Sequence, residues 1–359
     1  MIPYIEVIGK YSLLPFALVQ PSQCWFELSY YEIGEFEIYC RADAKSVEAL
    51  KMGNYVRIPN RPYLWVIKSV QYTYSADGAR MIDVKGFEAK WIIGQRVILT
   101  PWELPTSLSD AVFRLVDGNL GASAVSYRKI IGFVTETPTM PDEIEITQAT
   151  RGSVWEFVSA LLKANLCGSY SYYEDGEIHY LAFKGNDKTE TMLFSQSMDN
   201  LISSEYFENS ANRKNYIQIV STQTANDVTE ECVSEYPDTP SSHPSTGIDR
   251  LETTISSNIS TKYKDEQGQE QDTPFGSSLY KGWQVEEGKG KLAEAKLIQD
   301  FTSDMDLKNS RFSFEKDFFI GDVVKVRDEH FGYSANARIV KYTFKQDENG
   351  YGEEAEFGE

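Results

Sequence analysis

Three histidines, four cysteines and an excess of carboxylates are the side chains with which this chain could do chemistry, and their spacing organises none of it. His179 stands in a tyrosine-rich run, His243 in a Pro/Ser-rich stretch and His330 in the turn 328–333. No His-x-His or His-Glu-x-x-His arrangement brings two of them to one metal. Cys24, Cys40, Cys167 and Cys232 make no Cys-x-x-Cys pair, so they read as reduced core thiols. Asp304-Met305-Asp306 and the acidic loop 265–272 lack the Asp-x-Asp-x-Asp-Gly order of a calcium loop and read as solvated acids. There is no Gly-x-Ser-x-Gly elbow, no Walker loop and no dinucleotide fingerprint. With 54 acidic residues, carboxylate pairs suited to glycoside hydrolysis can be drawn anywhere, because the separation that matters is spatial. Residues 170–180 could offer a sugar an aromatic platform, but tyrosine on a half-buried strand makes the same pattern. The expectation is a chain with no catalytic, cofactor-binding or metal-binding residues.

Charge narrows the partners. Against those 54 acids stand 35 Lys and Arg, a formal charge of −19, which argues against a protein that holds nucleic acid by neutralising phosphates. Plain solubility explains such a balance, and so does a surface that must not stick to a passing polyanion. The start, Met1 to Glu6, has no basic region or apolar stretch of a signal peptide, and no run approaches the ~18 apolar residues of a membrane span. Synthesis in a reducing cytosol is the expectation, which also makes the sequon Asn258-Ile259-Ser260 irrelevant.

The elements that would position any site are mainly strands. At 359 residues and 13% aromatic, with scattered Gly and Pro, the chain suggests two or three β-rich domains. Residues 24–40 alternate apolar and polar about Gly34, as two strands do, and a short helix over 46–52 leads to Gly53. Strand-like runs follow at 55–58, 64–74 and 81–87. From about 105 the character changes. Ser107 opens an amphipathic stripe ending at Gly118, and Ser153-Val154-Trp155-Glu156 is a capping box before a second stripe through Leu162. Asp175-Gly176 between alternating runs predicts a hairpin. Strands resume at 205–207 and 216–220, polar loops occupy 235–247 and 264–276, a helix is expected from about Lys289 to Asp304, and a β block closes the chain over 312–359.

The first and last β blocks share a pattern. Ile67 precedes Gly78 by 11 residues and Gly86 by 19, and Ile339 precedes Gly350 by 11 and Gly358 by 19. Both segments run strand, turn (Asp77-Gly78, Asn349-Gly350), strand, and each follows a strand entered through glycine, Gly53-Asn54-Tyr55-Val56 and Gly321-Asp322-Val323-Val324. Two unrelated hairpins would look similar; a duplicated barrel would look like this too. In the second case, three chains would place six similar barrels in a ring.

The order of these segments resembles a known family, the hub proteins of phage tail tips and baseplates, including the N-terminal structural module of siphophage tail-associated lysins. The matching stretches are Gly34-Glu35-Phe36-Glu37-Ile38, Leu50-Lys51-Met52-Gly53, Gly94-Gln95-Arg96-Val97-Ile98, Phe194-Ser195 with Asp199-Asn200-Leu201 and Glu205-Tyr206, Asn215-Tyr216, Gly247 to Glu252, and Phe319-Ile320-Gly321-Asp322-Val323-Val324 through Phe357-Gly358. The resemblance implies an α+β, mostly β fold with two β-barrel tube-type domains, at 1–104 and at 201–232 plus 313–359. It also implies an α+β domain at 105–200 and an insertion at 233–312. It implies a homotrimer, a virion structural protein rather than an enzyme, that mates with the hexameric distal tail ring, meets the tape measure protein, and forms or closes a channel in which DNA is only cargo. A phage, a prophage or a phage-tail-like bacteriocin fits equally. The chain ends at Glu359, one residue past Gly358, so a lysin or receptor-binding protein is expected as a separate polypeptide. The rivals are a cell-wall hydrolase using an Asp/Glu pair and a carbohydrate-binding adhesin using residues 170–180.

Overall fold

A computed structural model describes residues 2–136, 140–145, 147–198, 200, 203–225, 227–237, 246–265, 267–304, 311–330, 332–348 and 350–358. His243, Asp199, Leu201, Met305, Asp306, Asn349 and Glu359 therefore lie outside the described residues. The first block folds as β1 (Ile5–Ile8), β2 (Pro15–Val19), β3 (Gln23–Ser29), β4 (Glu35–Arg41), a short helix α1 (Ala44–Ala49), β5 (Tyr55–Arg57), β6 (Trp65–Tyr74) and β7 (Arg80–Glu88). Alternation decides the faces: Cys24, Phe26 and Leu28 of β3 and Phe36, Ile38 and Cys40 of β4 are buried, and the residues between them are less so.

The middle of the chain supplies β8 (Val97–Ile98), β9 (Trp102–Leu104), α2 (Leu108–Leu120), β10 (Phe133–Glu136), β11 (Thr147–Ala149), β12 (Gly152–Ser153), α3 (Val154–Ala164), β13 (Gly168–Glu174) and β14 (Glu177–Phe183). Ser107 and Ser153 cap α2 and α3, accepting from the Asp110 and Glu156 amides. The α2 stripe does not end at Gly118: that glycine packs under the Trp102 ring, and the helix runs to Leu120. The hairpin β13–β14 turns at Asp175-Gly176, both at positive φ.

Then follow β15 (Leu193–Ser195), β16 (Ser203–Asn209), β17 (Tyr216–Ala225), β18 (Val228–Tyr236), β19 (Glu252–Ser256), β20 (Lys262–Lys264), β21 (Glu270–Asp272), α4 (Ser278–Glu294), β22 (Ile298–Asp304), β23 (Val323–Asp328), β24 (Tyr333–Asp347) and β25 (Gly350–Gly358). The expected helix over 289–304 is displaced. α4 begins at its Ser277 cap, and 298–304 is a strand pairing β16 and β25. Glycines inside α4 hid the helix from propensity; at Gly288 a Cβ would stand 2.6 Å from Ile219 Cδ1, so the helix needs glycine to lie on β17. β17 pairs with β18 and β19 in a sheet of its own.

The fold is α+β and mostly β, as expected, but neither block closes into a barrel. Their strands join one open sheet in the order β16-β22-β25-β24-β3-β4-β7-β6-β5-β1-β2, with β15 and β23 branching from β24. One cluster of buried side chains, from Ile5, Phe26 and Trp65 to Phe194, Phe344 and Phe357, serves both blocks. The cause is the pairing of β24 with β3 from Lys341↔Ser29 to Gln346↔Cys24, which uses the strand edges that barrel closure would need. Among the described residues no helix is long and apolar enough to cross a membrane.

Candidate functional site

The first and last β blocks share a hydrogen-bond pattern. Gly53, at φ +88°, donates to Ile67 O at 2.8 Å; Gly321, at φ +87°, donates to Ile339 O at 2.7 Å. Ile67 donates back to Asn54 O and Ile339 to Asp322 O, each at 2.9 Å. Immediately afterwards each strand carries a bulge, at Lys68 in β6 and at Val340 in β24. An extra residue flips the side chains that follow, so Val70 and Tyr72, like Tyr342 and Phe344, turn to the core side. One detail departs from the sequence spacing. Gly86 pairs with Ile67, but Ile339 pairs with Phe357, and Gly358 meets Arg338. Between the equivalent pairs Tyr74↔Arg80 and Gln346↔Tyr351 the first block carries one residue more, so equal spacing is not equal register.

The two copies then differ in which edges are filled. In one, Phe26, Phe36 and Gly86 lie in register across β3, β4 and β7. In the other, Tyr206, Phe301 and Phe357 do so across β16, β22 and β25. β24 pairs β25 on one side and, beyond Val340, β3 on the other. Its counterpart β6 pairs β7, and among the described residues nothing pairs its other edge beyond Lys68. The counterpart of β3 is β16, a terminal strand of the sheet. Among the described residues one copy thus ends in an open β6 edge and the other in an open β16 edge, the same two edge types that β24 and β3 join within the chain.

The open β6 edge carries half of a core. Counted from the two isoleucines, Tyr72 takes the place of Phe344, and Tyr74 that of Gln346. Phe344 is fully buried opposite Phe26, whereas Tyr72 is 58% and Tyr74 72% exposed. An exposed, aromatic, unpaired edge is one that soluble proteins usually cover. Arg61 fastens the filled joint: its guanidinium reaches Glu315 and, at 3.4 Å, Glu353, and lies 5.0 Å from the Phe344 ring.

The face of the sheet opposite the core is charged in both signs. Lys85 meets Glu37 at 3.0 Å and Asp83 at 3.5 Å, Lys341 lies 3.3 Å from Glu356 and 3.9 Å from Glu27, and Lys345 pairs with Glu354. Burial pushes the Glu27 carboxyl above its ordinary value, Lys341 pulling it back.

The sequence-level candidates for chemistry stay scattered. His179 Nδ1 is 2.8 Å from Glu136 Oε1, its ring stacks on Tyr172 at 4.7 Å, and Tyr172 also donates to Glu136. That carboxylate is thus already shared by two partners on one sheet. His330 is exposed. Asp265 accepts from the amides of Gln267 and Gln269 in its own loop, and among the described residues no cluster of His, Cys, Asp and Glu could hold a metal. Residues 170–180 form no open platform: Tyr180 is fully buried, Tyr173 donates to Leu13 O, and Tyr170 packs on Phe183 and Phe319. The sequence reading missed the open edge at Tyr72 and Tyr74; laying the two copies over each other would have found it, because a buried phenylalanine then falls on an exposed tyrosine.

Residues 18–359 match the family described as Siphovirus ReqiPepy6 Gp37-like protein. No curated protein matches the sequence. The fold is similar to three solved structures, each 13% identical and each covered over 99% of this chain. They are a prophage MuSo2 43 kDa tail protein from Shewanella oneidensis (TM-score 0.59, 98% of that chain), a tail protein from Neisseria meningitidis (0.56, 96%) and the prophage tail protein gp18 from Listeria monocytogenes (0.54, 94%).

Proposed function

Because the chain belongs to the Siphovirus ReqiPepy6 Gp37-like family of phage tail proteins, we propose that it is a non-enzymatic hub of the tail tip or baseplate, three copies of which close a ring of six sheet units. The observation that carries this reading is the complementary pair of open edges. A β6 edge beyond Lys68 offered to the β16 edge of a neighbouring chain repeats the β24–β3 joint with counterpart residues. Such a contact is head-to-tail, and head-to-tail contacts close into rings when the rotation allows. Tyr72 would then lie opposite Tyr206, as Phe344 lies opposite Phe26.

In this reading the division at 1–104, 105–200, 201–232 plus 313–359 and 233–312 describes the two tube-type units and what is inserted between them. The ring mates with the hexameric distal tail ring and meets the tape measure protein. Assembly takes place in the host cytoplasm. The charged face of the joined sheet lines the channel, its carboxylates repelling the passing DNA while the lysines among them hold each acid in place.

Light scattering on the purified protein across a concentration series tests this directly. A species near three times 40.8 kDa is expected. A mass that stays at one chain throughout, both alone and with the distal tail ring protein present, overturns it.

A further inference from the structure

Two exposed surfaces of the chain are opposite in charge. The first is a ribbon. β17 and β18 pair from Ile217↔Tyr236 out to Ala225↔Val228. At its base one face lies under α4: Ser221 and Cys232 are buried, and Gln284 Nε2 donates to Ser221 Oγ at 2.8 Å and to Cys232 O at 3.2 Å. The pairing of β19 with β17 stops at Val220, and beyond Ser221 the described residues 222–224 and 227–231 are exposed on both faces. Two strands alone are marginal in water, so a bare ribbon is better explained by something that covers it. Its outer half carries Asp227, Glu230 and Glu231, and the sequence has no Lys or Arg between Lys214 and Arg250.

The second surface lies where β8 meets the loop after α2. Val97, Leu99, Val125 and Tyr127 are exposed there, and Ile131 is 89% exposed. Two arginines bind the pieces together: Arg96 Nε and Nη2 donate to Arg128 O at 3.3 and 3.2 Å, and Arg128 Nη2 donates to Val97 O at 2.7 Å. Among the described residues neither guanidinium meets a carboxylate, and Lys129 beside them is exposed. Burial and the neighbouring Arg128 charge hold the Arg96 guanidinium below its ordinary value. In a chain with 54 acids, residues 89–102 and 118–135 contain none. Apolar side chains left in solvent beside cations without counter-charges mark a docking surface. We propose that the β17–β18 ribbon of one chain docks on the Arg96–Arg128 surface of a second copy. Glu230 and Glu231 face Arg128 and Lys129, and Val228, itself 60% exposed, lies against Tyr127 and Ile131. The two chains use different surfaces, so the contact is head-to-tail. It rests on the ring proposed above for the identity of the neighbour, and it uses neither the β6 nor the β16 edge.

The test mixes unlabelled and isotope-labelled full-length chains and treats them with a carbodiimide, which joins a carboxylate to an amine in contact with it. Mass spectrometry should find Glu230 or Glu231 joined to Lys129 across the two labels. Glu230→Lys with Glu231→Lys should weaken self-association in light scattering about tenfold, and Arg128→Glu should do the same. All three changes in one chain should restore most of the association. Should Arg128→Glu not fold, Lys129→Glu, at an exposed residue, takes its place. A cross-link confined to one label, from a ribbon folded onto its own chain, overturns the proposal, and so do charge reversals that leave the association unchanged. A three-chain mass without the mixed cross-link removes the ribbon contact and leaves the ring. A two-chain species that carries the mixed cross-link supports the contact and refutes the ring, and a one-chain mass throughout removes both.

Discussion

Glu88 and Lys90 form an ion pair in which neither side chain has exposed surface, their charged atoms 3.2 Å apart. Glu88 accepts from the Ser171 amide at 3.2 Å and the Gly34 amide at 3.4 Å, and Lys90 donates to Ser29 O and to Ser169 O at 2.7 Å. Two charges thus tie the ends of β3 and β7 to β13. Burial holds the Glu88 carboxyl above its ordinary value and the Lys90 ammonium below, each pulled back by its partner. Removing one partner strands the other. Lys90→Met should cost about 3–5 kcal/mol at neutral pH, and Glu88→Gln added to it should restore most of the loss. A carboxyl raised in the folded chain contributes stability that is present below its unfolded value, near 4.5, and lost as pH rises. The Lys90→Met deficit should therefore shrink on acidification towards that pH. Urea unfolding across pH checks both statements, and a deficit that is flat with pH would refute the second.

Gly53 and Gly321 hold equivalent places at nearly equal φ, yet their surroundings differ. A Cβ on Gly321 would stand 2.3 Å from Cε2 of buried Tyr30, whose hydroxyl accepts from the Gly185 amide and donates to Phe183 O, each at 3.0 Å. A Cβ on Gly53 would meet only the Lys10 chain at 3.1 Å. Alanine at Gly53 should cost about 1 kcal/mol, from backbone strain alone, and alanine at Gly321 about 2–4 kcal/mol. Denaturant midpoints of the two variants should differ in that order.

Tyr72→Lys puts a charge on the core-facing side of an open edge, a substitution that prevents edge pairing. The variant should keep its monomer stability within about 0.5 kcal/mol and lose the three-chain species in light scattering. Tyr11→Lys, at a residue 86% exposed elsewhere, should leave the oligomer unchanged. Equal behaviour of the two variants would disconnect Tyr72 from assembly.

The four cysteines are free and buried. Burial pushes the thiols of Cys24 and Cys167 up to about 12 and that of Cys40 up to about 11. Since the thiolate is the reactive form, iodoacetamide at pH 8 should modify these three in the folded protein about a hundredth as fast as in urea or slower, as thiols pushed up from 9.0 to about 11 or 12 imply. Mass spectrometry after timed quenching reads the ratio.

Replacing Glu27, Glu37, Glu354 and Glu356 by glutamine removes most of the negative charge that pairs with Lys85, Lys341 and Lys345 on the sheet's outer face and leaves Asp83. If that face lines the channel, genome release from particles carrying the variant should slow several-fold at low salt and recover as salt screens the remaining charge. Unchanged release kinetics would place the channel elsewhere.

Much of the fold could be read from the chain because its signals are local. Positive-φ glycines at Gly53 and Gly321, serine caps at Ser107 and Ser153 and the Asp175-Gly176 turn each act over a few residues. The repeat was legible for the same reason. The joint of β3 with β24 was not, since it pairs residues some three hundred positions apart and leaves no periodicity behind. α4 was read too far along the chain because its glycines serve packing on β17 and α3 rather than helix propensity.

The β3–β24 joint has a consequence for size. If the same edges meet between chains as within one, the angle at which one copy stands to the other inside a single polypeptide is also the template for the angle between polypeptides. The chain then carries its own protractor. A change that re-aims this joint, at Arg61 or in the bulge at Val340, would alter how many chains complete a turn, or tilt the circle into a helix that never meets its start.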